Sequence, residues 1–375
     1  MSVKVSIQLL SDYDSARVAH AMDALMAPLG GMAPFVQGND TVVLKPNLLA
    51  PRPVSRATCT HPEIIRTAGR LVQQAGASQV LVTDSSGIGN AVQVTAKMGL
   101  KSEGALKIVN PDEAQWVSSR ESGQWKLRLS KLMLQHPVIN IAKAKTHGQM
   151  IVTAAAKNMF GGVLGLEKPQ WHYRIGRDPQ QFARLLVHIC ETLSPRLNIL
   201  DGVIGMEGNG PGSGTPRPLG IVMASENAHA LDYILCKIWK LKPEKVYTIR
   251  AAMDMGVLPA EKDIEVVGPP IASLQPSPPW KLAQETSPAR LVGPNWLTPV
   301  LENLMKTLPH LNHQRCTLCM ECTHHCAANA MDVSEGRIVI DLQKCISCFC
   351  CQEMCPHSAI TVKTGALARL LRLGK

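Results

Sequence analysis

Eight cysteines in two matching runs carry the chemistry most directly readable in this chain. They are Cys316-x2-Cys319-x2-Cys322-x3-Cys326 and, 29 residues on, Cys345-x2-Cys348-x2-Cys351-x3-Cys355-Pro356. Three thiolates separated by pairs of residues fold round three corners of one Fe4S4 cube, and the fourth corner must come from elsewhere in the chain. The repeat extends past the thiols, since Ala330, Met331 and Val333 recur as Ala359, Ile360 and Val362, which marks an internal duplication. A disulfide framework needs no such equal spacing and suits a secreted chain. Zinc would take four ligands as two pairs. Two [4Fe-4S] clusters fit the pattern better than either.

This stretch resembles the two-cluster bacterial ferredoxins over residues 310–362. The resemblance implies an interleaved ligand set, with Cys316, Cys319, Cys322 and Cys355 on one cluster and Cys345, Cys348, Cys351 and Cys326 on the other. It departs in two places. Ala327 stands where a proline usually follows the fourth cysteine, and Cys350 adds a thiol between two ligands, which makes a ligand exchange conceivable.

A second concentration of chemistry lies between Lys143 and Arg177. It holds Lys143, Lys145, His147, Lys157, Asn158, Lys168, His172, Arg174 and Arg177 against one acid, Glu167. An Ala-rich helix is expected from Gly148 to Phe160 with Thr146 as its cap. Its free N–H groups would hold a phosphate or carboxylate, and His147 and Asn158 would share one face about three turns apart. A solvated basic face is the alternative, but the segment is small and apolar around Lys157 and Asn158. The remaining candidates stand singly at element ends: Lys45 and Asn47, His61, Asp84, Asp201, Asp232, and Glu207 in a Gly-rich loop. Each alone is as readily a cap, a turn or a salt bridge. That loop lacks the Gly-Lys-Ser/Thr ending of a P-loop, and Gly87-Ile88-Gly89 is not a dinucleotide fingerprint.

The elements that must position these residues alternate. Val3–Leu9, Thr41–Leu44, Gln79–Thr83, Trp125–Leu129, Pro137–Ile141, Leu197–Leu200, Leu219–Met223 and Ile264–Val267 read as strands. Helices are expected from Asp14 to about Leu29, from Pro62 to a stop at Gly76, over Pro179–Leu193 and over Ala228–Lys240. This is a layered α/β domain with a mixed or parallel sheet over 1–268. Nine prolines in 41 residues make 269–309 a connector expected to lie along that domain. A small α+β ferredoxin-like domain follows over 310–362, then a basic tail, 363–375. There Leu367, Leu370, Leu371 and Leu373 among Arg369, Arg372 and Lys375 read as a docked or frayed end, or as a short amphipathic helix.

At 375 residues and 45% hydrophobic content the chain can bury a large core and a small module. No signal pattern and no long apolar run is evident, so a cytoplasmic protein without a membrane span is expected. Cys59, Cys190, Cys236 and Cys350 are expected to be reduced. The formal charge of +10 falls to about +6 once each oxidised cluster with its thiolates adds about −2. With aromatics at 4%, stacking platforms for single strands are scarce. The charge therefore points to an anionic small molecule or an acidic redox partner and not to nucleic acid.

Taken together, Lys45-Pro46-Asn47, Thr60-His61-Pro62, Asp84, Lys143-x-Lys145-x-His147, Lys157-Asn158-x2-Gly161, Gly165-x2-Lys168-x3-His172 and Asp201-Gly202 with Glu207-Gly208 resemble the DUF362 family over residues 3–268. That family has no generally established reaction, so the resemblance implies architecture and the location of a site. Two functions stay open. In the first, a reductase holds an anionic substrate through Lys143, Lys145 and Lys168, with Lys45, Asn47, His61, Asp84, Lys157, Asn158, Asp201 and Glu207 around it. His147 or His172 supplies a proton and the clusters supply electrons. In the second, a ferredoxin-like carrier or adaptor uses its α/β domain to bind a partner, such as a ferredoxin or flavodoxin, or a ligand without turning it over. A nonredox transferase or racemase with structural clusters is a third.

Overall fold

The computed structural model describes residues 2–119, 125–165, 167–176, 178–283 and 307–363. Arg177, connector residues 284–306 and tail residues 364–375 lie outside the described residues. The strands in chain order are β1 (Val3–Leu9), β2 (Thr41–Pro46), β3 (Gln79–Val82), β4 (Leu106–Ile108), β5 (Ala114–Ser118), β6 (Lys126–Ser130), β7 (Val138–His147), β8 (Ile151–Thr153), β9 (Leu197–Glu207), β10 (Thr215–Ser225) and β11 (Ile264–Val267). Nine of them form one mixed sheet in the order β11-β1-β10-β9-β7-β2-β3-β4, with β8 paired to β7.

β4, β3, β2, β7 and β9 run parallel. Chain order climbs outward from β2 towards β4 on one side and from β7 towards β9 on the other. The gap between β2 and β7 is therefore the topological switch point, where open α/β sheets bind ligands beyond the carboxyl ends of their strands. Both faces are covered because the strand residues alternate. Val42, Leu44, Ile139 and Ile141 pack with the helices Ser15–Met26 and Pro62–Gln74. Val43, Val138, Ala142 and Ala144 pack with Pro179–Leu193 and Ala228–Ile238.

The expected helix over 148–160 does not form. β7 is paired on both sides and runs on through Lys143, Lys145 and His147. It then turns back into β8, with Lys145 opposite Thr153 and His147 opposite Ile151. Sheet pairing takes Ile151–Thr153 out of the expected helix, leaving the alanines one turn of helix at Ala155–Asn158 and a tight turn at Met159–Gly162. His147 and Asn158 therefore share no helix face. Thr146 is not a cap either, since its hydroxyl donates to the Gly208 carbonyl at 2.7 Å. β9 likewise extends to Glu207, which shortens the expected loop.

The C-terminal module pairs Leu308–Leu311 with Ile360–Lys363 and folds Met331–Ser334 against Arg337–Ile340. Its two short helices, Glu321–His324 and Cys350–Met354, repeat each other across the duplication. The described part of the connector lies on the first domain, where buried Trp280 stacks on Trp239 with ring centroids 4.7 Å apart. Among the described residues no helix is long and apolar enough to cross a membrane.

Gly161 shows how tightly the switch point is packed. A methyl group on its Cα would land on Asp84 Oδ1 and Lys45 Nζ, whereas at Gly38 it would meet nothing within 4 Å. Gly161→Ala is expected to cost about 1–3 kcal/mol by overpacking and to lower the thermal midpoint of the reconstituted protein, with Gly38→Ala near wild type. Equal midpoints for the two variants would show that this edge is loosely packed.

Candidate functional site

The carboxyl ends of β2, β3, β7 and β9 carry most of the candidates. Lys45 is fully buried and pairs with Asp84 at 2.8 Å. The other Asp84 oxygen accepts from the Leu48 amide at 2.8 Å. Lys145, also fully buried, donates to Asn47 Oδ1 at 2.7 Å and to the Thr58 carbonyl at 2.8 Å. Asn47 in turn donates to Asn158 at 2.9 Å, Asn158 to Asn140 at 2.7 Å and Asn140 to Asn198 at 2.8 Å. This chain of amides crosses the sheet and fixes each carboxamide orientation, so the lysines are presented from a rigid wall. Asp232 supports it from behind by accepting the Ala155 and Ala156 amides at 2.7 and 3.0 Å.

Other candidates form a neighbouring knot. Lys143 pairs with Asp201 at 2.8 Å, Tyr13 donates to Asp201 at 2.8 Å and the His61 amide donates to the same carboxylate at 2.9 Å. Tyr13 stacks on the His61 ring at 3.6 Å. Burial pushes His61 down to about 4, so the ring is neutral at pH 7 and caps the helix Pro62–Gln74 through Nδ1. Glu207 is elsewhere again, tied to Arg217 at 2.7 Å and to the Lys281 amide at 3.1 Å. Lys143, His61, Asp201 and Glu207 do not line the cavity that Asn47, Lys145 and Asn158 share.

That cavity, of about 230 Å³, opens between the two domains. The first domain contributes Asn47, Asp84, Lys145, Lys157, Asn158, Lys168 and His172, and the module contributes His325, Cys350, Glu353 and Met354. Burial lowers Lys145 to about 7 and Lys168 to about 8. Burial also lowers Lys157, whose ammonium makes no hydrogen bond to another described residue, and it pushes His172 down to about 4. The buried His172 Nδ1 has no hydrogen-bond partner among the described residues. Against these groups stands Glu353, 3.0 Å from His147 Nε2. Burial alone would raise its pKa, yet His147, Lys157 and His172 together outweigh burial and hold it at about 2. His147 accepts the Gln149 and Met150 amides on Nδ1 at 3.0 and 3.1 Å, which leaves its remaining proton on Nε2, facing Glu353. His172 thus lines the cavity, while His147 sits behind Glu353.

Several of these residues carried no signal in the sequence. Glu353 sits inside a cysteine run, where Cys350 stood out only as an added thiol, and Tyr13 and Thr58 reach the site only through the fold. Arg52 is another. Its guanidinium donates to the Cys355 carbonyl at 2.6 Å and to the Gly212 carbonyl, joining the Gly-rich loop to the module. A side chain at Gly212 would strike the Glu353 carbonyl, which accounts for the glycine there. The loop is a docking surface for the module.

The cysteines gather in two small cavities. Cys316, Cys319, Cys322 and Cys355 line one, and Cys326, Cys345, Cys348 and Cys351 line the other together with Cys350. The backbone is left-handed at Leu318, Met320 and Asn329 and again at Ser347, Phe349 and Ser358, with φ from 47° to 65°. These six positions fall in pairs one repeat apart. The Ala330 and Ala359 amides donate to Cys326 and Cys355 sulfur at 3.2 and 3.1 Å. Soft thiol donors, backbone N–H groups turned on to sulfur and apolar walls fit iron–sulfur clusters. All twelve cysteines are unbridged.

The model for a domain of unknown function, DUF362, matches residues 42–237, and that for a 4Fe-4S dicluster domain matches residues 308–356. A thylakoid-associated protein of Synechocystis sp. is 35% identical over 268 residues, 70% of this chain and 83% of that protein. A crystal structure of a protein from Thermotoga maritima aligns with a TM-score of 0.36 and 14% identity, over 53% of this chain and 52% of that one. So distant a likeness carries no argument.

The depressed lysines set a pH dependence. An anion in the cavity is held best while Lys145 and Lys168 keep their protons, so calorimetric affinity for oxalate is expected to fall as pH rises through about 7 and 8. Lys145→Met is expected to remove the lower step. From Lys145 alone, stability should rise between pH about 7 and its ordinary 10.5. Over that window the unfolded chain still binds the proton that the folded chain has lost. Affinity that is flat from pH 6 to 9 would contradict the assignment.

Proposed function

This chain belongs to the DUF362 family, named for a domain of unknown function, and carries an iron–sulfur electron-transfer domain; we propose that it is a reductase acting on an anionic small molecule in the interdomain cavity. The observation that carries this reading is the composition of the cavity wall. Lysines of the first domain face a module helix that lies inside a cysteine run. When bound, two [4Fe-4S] clusters, on Cys316, Cys319, Cys322 and Cys355 and on Cys345, Cys348, Cys351 and Cys326, supply single electrons at low potential.

The chain's own residues do the rest. Lys157 and Lys168 hold the substrate's negative charge, with Asn47 and Asn158 fixing its orientation. Reduction takes up two electrons and two protons, and Lys145, with a proton held near neutral pH, is matched to give one of them. His172 offers its unpartnered Nδ1 as a hydrogen-bonding group. His147 keeps Glu353 ionised and in place, so its part is positioning. Lys45 and Asp84 form the rigid floor under Gly161. An acidic ferredoxin or flavodoxin is the expected donor, in the cytoplasm. The relative's description as thylakoid-associated raises a second setting, the same donor met at a membrane surface.

The test is anaerobic. The reconstituted protein is reduced, and cell metabolites are screened for one that reoxidises it. Lys157→Ala and His172→Ala, each losing a hydrogen bond worth about 1.5–3 kcal/mol if the partner is charged, should cut the rate constant about 10- to 100-fold with cluster spectra unchanged. If only an acidic redox protein reoxidises the clusters, and the variants behave as wild type, the carrier or adaptor reading replaces this one.

A further inference from the structure

The duplication in the module is broken where it meets the cavity. The helix Glu321–His324 of the first half corresponds, 29 residues on, to Cys350–Met354 of the second. Glu321, His324 and His325 thereby become Cys350, Glu353 and Met354, all three of which line the interdomain cavity. Cys350 also lines the second cysteine cavity, which therefore holds five cysteine thiols where a cubane takes four. None of the residues lining the first cysteine cavity reaches the interdomain one. Cys350 is buried, lies two residues from Cys348 and shares the second cysteine cavity with all four candidate ligands.

We propose that Cys350 is a positioning residue that links the interdomain cavity to the second cluster site, that of Cys326, Cys345, Cys348 and Cys351, and that this site is the one adjoining the substrate. The proposal rests on the two-cluster reading. A thiol donating to a ligand sulfur draws off part of its negative charge. It thereby favours the reduced, more negative state and raises the reduction potential of that cluster alone. The fifth thiol is then a tuning group that replaces the glutamate of the first repeat, and it is not a spare ligand.

The measurement is a redox titration followed by electron paramagnetic resonance on the reconstituted full chain, beside Cys350→Ala and Cys350→Ser, with iron content determined for each. The expected result is iron for two clusters in all three proteins and a more negative potential for one cluster in Cys350→Ala. The shift should be smaller in Cys350→Ser, which keeps an O–H donor. The shifting signal should be the one lost in Cys345→Ala. Unchanged potentials, equal shifts of both clusters, a shift in the signal that Cys345→Ala retains, or iron for only one cluster in Cys350→Ala would each overturn the proposal. The last would make Cys350 a ligand. A wild-type chain holding iron for only one cluster would overturn the two-cluster reading itself, and the proposal with it.

Discussion

The structure depends on burying cations at the edge of a sheet with too few carboxylates beside them. A charge taken out of water is costly unless it is paired or hydrogen-bonded. Lys45 and Lys143 meet that cost with Asp84 and Asp201. Lys145 meets it only with neutral oxygens of Asn47 and Thr58, which is why its proton is loosely held. Lys157 finds its opposite charge outside its own domain, in Glu353. The module therefore completes the electrostatics of the first domain, and the excess positive charge that remains is concentrated in one cavity.

That arrangement makes docking and site formation one event. Arg52 ties Cys355 to the Gly-rich loop, Gln352 donates to the Asn209 carbonyl at 3.4 Å, and Glu353 reaches His147. All three contacts fall within or beside the last cysteine run. A shift of that run relative to the first domain would at once move a candidate ligand and the carboxylate that compensates Lys157.

Much of this was legible in the chain because it is local. Asp14 and Pro62 open helices where the residue types require, and β2, β3, β7 and β9 each end in polar residues, which is how a switch-point site announces itself. The cysteine spacing marked the module. Less legible was whatever depends on partners far away in sequence. The alanines of 154–156 favour a helix but keep only one turn of it, because pairing of β7 with β2, β8 and β9 decides the residues before them, and only the fold shows that His147 turns its Nδ1 to the hairpin amides. Lys143 and Lys145 look alike at a spacing of two. Asp201 claims the first and leaves the second facing the cavity. Glu353 could not be found at all by spacing, since its role exists only across the domain boundary.

The central claim is that the cavity and a cluster site form one unit. Electron–nuclear double resonance on the reduced holoprotein saturated with isotopically labelled oxalate tests it most directly. A hyperfine coupling between the label and one cluster's unpaired spin, lost in Lys157→Ala, is the predicted result. Oxalate that does not bind, or that binds stoichiometrically without any coupling, would contradict the account.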